Sequence, residues 1–284
     1  MMKLYPALVI IIAFSGNIFS QVVLDEQFSN NKYQHVVIAN MSGSIDVQPS
    51  SDNNIYIKAT TETGKIHPDL SLEWITYENF VKVYLKTPCS VSKDKMTVSA
   101  DDPFSFQQWK SNCDWDTHEE DDFPVIKFEI KIPSSVNIYV STLLQGDITI
   151  NGIDEFIYAT NINGDILLED VDKVTKAQTI NGNVEVNYRS KPLTGGELET
   201  LNGDIKITLM ESADLTILFS SFMGEMYTDF DEVEIKPNIQ KKSASEDGFK
   251  FSMKEEKEVK IGSGGPIFSI KTFNGDVIIR KHLK

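Results

Sequence analysis

The chain has 284 residues, 40% of them hydrophobic, with 42 acidic against 27 basic side chains and a formal net charge of −15. The apolar fraction excludes a disordered chain, and the acidic balance argues against binding nucleic acid or an anionic lipid surface, since both need clustered cations. The length fits one large domain or two small ones.

Residues 1–20 read MMKLYPALVIIIAFSGNIFS. Lys3, the apolar run from Leu4 to Phe14 and the small residues Ser15, Gly16 and Ser20 have the layout of a secretory signal peptide cut after Ser20. The run is too short, and interrupted by Pro6, to cross ~30 Å of hydrocarbon as a helix. No later segment is apolar enough to span as a helix.

Residues 21–86 are expected to form an N-terminal β-strand cap or first coil. HVVIANMSGSIDVQP and NNIYIKATTE alternate apolar and polar residues, and more strands follow up to Val81–Leu85. Residues 87–124 break the alternation and read as a surface insertion. It holds Cys89 and Cys113, Trp109 and Trp115, and an acidic run of Asp114, Asp116, Glu119, Glu120, Asp121 and Asp122 around His118. In an exported chain the two cysteines are expected to pair, which stabilises by about 3 kcal/mol through loop closure. The acidic run lacks the spaced ligands of a Ca²⁺ loop and reads as solvated, with a weak cation site as the lesser reading. Trp109 and Trp115 are either a local mini-core or a contact surface for a glycan or protein.

Residues 125–284 carry an internal repeat. Leu144-Gln-Gly-Asp-Ile148, Ile162-Asn-Gly-Asp-Ile166, Ile180-Asn-Gly-Asn-Val184, Leu201-Asn-Gly-Asp-Ile205 and Phe273-Asn-Gly-Asp-Val277 share one pattern. Weaker copies are Met41-Ser-Gly-Ser-Ile45 and Phe222-Met-Gly-Glu-Met226. The central glycines Gly43, Gly146, Gly164, Gly182, Gly203, Gly224 and Gly275 are spaced by 103, 18, 18, 21, 21 and 51 residues. Apolar residues stand two before, two after and four after each glycine, which predicts a strand with one buried face, bent where Gly and Asn tolerate positive φ. In the 18-residue steps the match extends to Ile153 with Val171, Phe156 with Val174 and Ala159 with Ala177. Residues 229–267 interrupt the repeat as a solvated, charge-alternating hairpin or loop.

This pattern favours an all-β parallel β-solenoid of 18–21-residue coils, in which like residues stack. Asn163, Asn181, Asn202 and Asn274 would then line one corner, the first three as a side-chain amide ladder. The alternative is an antiparallel β-sandwich, because Asn-Gly between alternating strands is also a hairpin signal. The export segment, the lead-in Ile132-Pro133 and the tandem NGDI strands resemble the bacterial putative-adhesin β-strand-repeat family of unknown function and head domains of autotransporter adhesins. The resemblance covers residues 125–284 and more loosely 31–62. It implies a β-helical fold in the periplasm, on the cell surface or secreted, and it supplies no catalytic residues.

No nucleophile, metal-ligand or cofactor motif is present, and His35, His67, His118 and His282 are isolated in sequence. No catalytic, cofactor-binding or metal residue is therefore assigned. The function expected is an exported non-enzymatic module, adhesin-like or structural, whose partner is a glycan or an envelope or surface protein. The alternative is a polysaccharide lyase or hydrolase, which would need carboxylates from different repeats to converge in one groove.

Overall fold

A computed structural model describes residues 21–29, 32–61, 66, 68–90, 123–236, 242–245, 248–251 and 257–282. The expected signal segment, His67, Trp109, Cys113, Trp115, His118 and the acidic run lie outside these residues. Cys89 is buried, so one half of the expected disulfide is described and its partner is not.

The described residues form strands and no helix, arranged in a 10-stranded sheet, an 11-stranded sheet and a small hairpin of 242–245 with 248–251. Inward-facing side chains of the two large sheets meet in one hydrophobic core, a sandwich-like layering. In the first sheet Ile45–Pro49, Ile148–Asn151, Ile166–Val171, Val184–Tyr188, Ile205–Leu209, Val277–Lys281 and Met226–Thr228 are neighbours in that order, all parallel. In the second sheet His35–Ala39, Asn137–Thr142, Phe156–Asn161, Lys173–Asn181, Gly196–Asn202, Ile267–Asn274 and Leu215–Ser221 are neighbours, again parallel. Each second-sheet strand leads through a glycine bend into the first-sheet strand of the same rank. Strand, bend and strand form one unit, and the units lie side by side in both sheets.

Alternation explains the burial. Within the stack the residues two and four after the glycine, among them Ile148 and Ile150, Ile166 and Leu168, Val184 and Val186, and Ile205 and Ile207, are buried in register with their counterparts, while Met226 and Thr228 of the end unit are half-buried. The second sheet answers with Ile138 and Val140, Ile157 and Ala159, Val174 and Ala177, and Phe268 and Ile270. Each such side chain contributes ~1.5–3 kcal/mol on leaving water.

Two expectations fail here. The residue two before the glycine does not join the core in four units: Ile180, Leu201, Phe222 and Phe273 are exposed, because the bend follows the strand's inward residue and turns the next side chain out, whereas Met41 packs against the core. Phe156 is not the counterpart of Val174 either. Ile157 pairs with Val174, and a register shift before Tyr158 restores the pairing of Ala159 with Ala177, leaving Phe156 exposed.

Spatial order also departs from sequence order. The unit of 35–49, expected to be the first coil or a cap, lies between the unit of 137–151 and one built from Phe80–Lys86 and Ile126–Ile132. At the other end the last unit, 267–281, lies between those of 196–209 and 215–228. Placing the early and late units inboard gives their strands two neighbours each, where a terminal position would leave an edge.

Candidate binding groove at the Asn-Gly corner

The bends form a corner built from stacked columns. The glycines lie in the spatial order Gly43, Gly146, Gly164, Gly182, Gly203, Gly275 and Gly224, each against the carbonyl of the one before. Gly182 shows why no larger residue fits. Its φ is +158°, and a Cβ there would sit 2.1 Å from the Gly164 carbonyl oxygen.

The residue after each glycine secures the next unit. Asp147 accepts the Asp165 N–H at 2.8 Å, Asp165 the Asn183 N–H at 2.7 Å, and Asn183 the Asp204 N–H at 2.9 Å. Asp204 then accepts the Asp276 N–H, and Asp276 the Glu225 N–H, each at 2.9 Å. The repeated Gly-Asp is therefore a backbone cap, since only a short side-chain oxygen reaches the neighbouring amide. The residue before each glycine forms an amide ladder. Asn181 donates to Asn163 at 2.7 Å and Asn202 to Asn181 at 2.8 Å, while Asn163 donates to the Leu144 carbonyl. Asn274 pairs in register with Asn202.

Three before most glycines stands a buried polar side chain that sequence reasoning missed. Asn161, Thr179, Thr200 and Thr272 donate to the carbonyls of Gly146, Gly164, Gly182 and Gly203 at 2.8, 2.9, 2.8 and 3.4 Å. Asn40 donates to the Gly43 and Ile126 carbonyls at 2.9 Å. Such pairing offsets the cost of burying a polar group. Its signal was legible as a recurrence of Asn or Thr at one offset.

The outward-turned residues two before the glycines make the surface feature. Ile180, Leu201, Phe273 and Phe222 come from four successive units and line an open groove of about 550 Å³. Phe273 and Phe222 stack with centroids 4.7 Å apart and planes at 8°. Outward residues of the second sheet form its polar side, where Lys271 reaches Glu199 at 2.6 Å and Glu197 at 3.1 Å. The Glu199 hydrogen bond chiefly raises the Lys271 pKa. Partial burial would raise Glu197, but Lys271 holds it below the usual carboxylate range. The groove pairs an apolar rail with a neutralised polar wall. It can hold an extended ligand that has an apolar or flat face on one side and hydrogen-bonding groups on the other.

A second groove, of about 560 Å³, is polar. It includes Arg189, which binds Asp154, reaches Asp170 at 2.8 Å and lies 3.7 Å from Asp172. The arginine thus ties together loops of neighbouring units. The carboxyl groups of Asp52, Asp154, Glu197, Asp214, Asp231 and Glu258 are all held below their ordinary range. General-acid cleavage of a glycosidic bond uses a carboxyl displaced upward. Among the described residues no His, Cys, Asp and Glu cluster could hold a metal ion, and no helix is long and apolar enough to cross a membrane.

No protein-family model and no curated protein matches the chain. Solved structures do. A putative cell adhesion protein from Clostridium sporogenes ATCC 15579 is similar over 93% of this chain and 100% of its own, at 9% identity and a TM-score of 0.48. A putative adhesin from Bacteroides fragilis NCTC 9343 is similar over 91% and 96%, at 13% identity and a TM-score of 0.39. A putative lipid binding protein from Parabacteroides distasonis ATCC 8503 is similar over 92% and 96%, at 12% identity and a TM-score of 0.28.

Proposed function

We propose that the chain is an exported, non-enzymatic binding module of the cell envelope, adhesin-like in action, that holds an extended glycan or surface-protein segment along its corner groove. On this reading the units are coils of a two-sided parallel β-solenoid. Their common order in both sheets and the in-register columns of Gly, Asp and Thr support that architecture. The observation that carries the function is the exposed run Ile180, Leu201, Phe273 and Phe222. Water-facing apolar side chains aligned across four units are costly for a monomer, and a ligand that covers them removes that cost. A rigid β scaffold keeps the row straight and preformed, so binding loses little chain entropy.

The test is a binding screen of glycans and envelope proteins with the purified protein and its Leu201→Asp variant. Leu201 is 45% exposed, so the variant is expected to keep its thermal midpoint. It should bind the ligand found about tenfold more weakly or worse, because a charge would face the ligand's apolar side. Equal binding by both forms would remove the groove from the function. A glycan cut in the screen would favour the polysaccharide-acting enzyme instead.

A further inference from the structure

At the unit of 215–228 the second sheet continues into Lys257–Ile261 and Val233–Lys236, both antiparallel. The first sheet does not continue. Met226–Thr228 pairs with Val277–Lys281 on one side, and among the described residues no strand pairs with its other side. The direction of the free groups follows from the hydrogen bonds to Val277–Lys281. The Val277 N–H donates to the Glu225 carbonyl and the Asp229 N–H to the Ile279 carbonyl, so residues 225 and 229 face the sheet. Strand alternation then turns the N–H and C=O groups of Met226 and Thr228 away from it.

Side chains at this end are also uncovered. Phe222 is 73% exposed and Met223 64%, against 36% for Ile180 and 45% for Leu201 within the stack. One face of the Phe222 ring lies on Phe273, and among the described residues the other has no ring neighbour. The column of backbone caps stops here as well. The Glu225 carboxylate accepts the Tyr227 hydroxyl at 3.1 Å, where an earlier unit would cap the next amide. The opposite edge of the same sheet is different. Gln21–Ser29 carries Asp25 and Glu26 and a register shift between Val22 and Leu24, features that repel an added strand. Met226–Thr228 has no charged residue and no such shift.

We infer that this open end accepts an extended segment of a partner protein as an added parallel strand, and that the segment alternates apolar residues with lysine or arginine. The alternation follows from the stack, since one face of each strand meets the core and the other meets solvent. The basic character follows from the flanks. Glu225 and Asp229 bracket the edge strand and Glu232 follows it, while Asp231 is already paired with Lys281 at 2.7 Å. A second copy of the chain would bring a like-charged edge, and each copy carries a net charge of −15. Three edge residues offer few backbone bonds, so Phe222, Met223 and Tyr227 supply the apolar contact that holds the segment. This surface is the end of the stack and adjoins the flank groove proposed above, sharing Phe222 with it but not Leu201.

The test uses short synthetic peptides with the purified full chain. The probes are a Val-Lys alternating peptide, its Val-Glu counterpart, and the Val-Lys peptide with alternate backbone amides methylated. The Val-Lys peptide is expected to bind one per chain and to slow hydrogen exchange at the Met226 and Thr228 amides. Methylation or the Glu replacement should weaken it about tenfold or more. Met223→Asp, an exposed position, should weaken it while Leu201→Asp leaves it unchanged, which separates this edge from the groove. Equal binding of the methylated peptide, unchanged exchange at 226 and 228, or no binding would overturn the proposal. So would a chain that dimerises through this edge.

Discussion

The two ends of the stack are finished differently. Beyond the unit of 80–86 and 126–132, the second sheet is closed by Ser71–Tyr77 and the first by Asn54–Thr61 and Gln21–Ser29. At the other end, among the described residues, only the second sheet is closed. Closure is not a property of the repeat strands, since the closing strands run antiparallel to them. It is added by antiparallel strands taken from the segments between repeats. The bend sequence also changes where the stack stops. The Asn of the amide ladder is replaced by Met223 and the capping Asp by Glu225, at a unit that no following unit bonds among the described residues.

The sharpest way to break the comparison is to damage the middle and the open end at equivalent positions. Gly182→Ala should have the largest effect, about 4 kcal/mol or more, because its Cβ would lie 2.1 Å from a carbonyl oxygen and its φ of +158° is strained for alanine. Ile166→Ala, fully inside the stack, should cost about 3 kcal/mol through the cavity it leaves. Met226→Ala, at the half-covered equivalent position, should cost about 1 kcal/mol. Urea titrations with unchanged slopes measure all three. Equal losses at 166 and 226 would mean that the end is as well packed as the middle.

A smaller contrast concerns the buried polar column. Thr200 donates to the Gly182 carbonyl at 2.8 Å, and Thr200→Val should cost about 1–2 kcal/mol by leaving that carbonyl without its donor. Ser221 occupies the same offset in the end unit, yet among the described residues its buried hydroxyl has no partner. Ser221→Ala is therefore expected to be neutral or slightly stabilising, by up to about 0.5 kcal/mol. A loss at Ser221 as large as that at Thr200 would show that the end unit keeps the interior bonding.

How much of this was legible follows from what each pattern encodes. The columns Ile166, Val184 and Ile205 were readable because strand alternation and recurrence point to one answer. The exposed row of Leu201, Phe222 and Phe273 was misread as core, because alternation gives the parity of a strand and not the angle at which a bend resets it. The Gly-Asp recurrence is visible in the sequence, but the reach of each Asp oxygen to the next unit's amide needs coordinates. The inboard position of 267–281 had no local signature, since pairing partners across 51 residues are chosen by the whole stack. The open edge was hidden for the same reason.

The smallest effect separates the ends by pH. His35 lies near the closed end, stacked on Phe80 at 4.3 Å and 15°, with its Nδ1 3.2 Å from the Asn137 amide and 3.3 Å from the Tyr139 hydroxyl. Burial lowers its pKa below the ordinary 6.5, so the folded protein holds the ring neutral where the unfolded chain would take a proton. Above pH 6.5 both states are neutral and the full stability is present. As pH falls from 6.5 through the lower folded value, the unfolded chain binds the proton first and stability is lost. Displaced carboxylates such as Asp154 and Glu197 titrate further down, below their ordinary 3.8 and 4.5, and leave this window to the histidine. Hydrogen exchange should therefore quicken at 35–39 and 80–86 as pH is lowered through the window, after correction for intrinsic rates, while 226–228 stays constant. His35→Gln should remove the dependence, and a slope that survives in that variant would place the titrating group elsewhere.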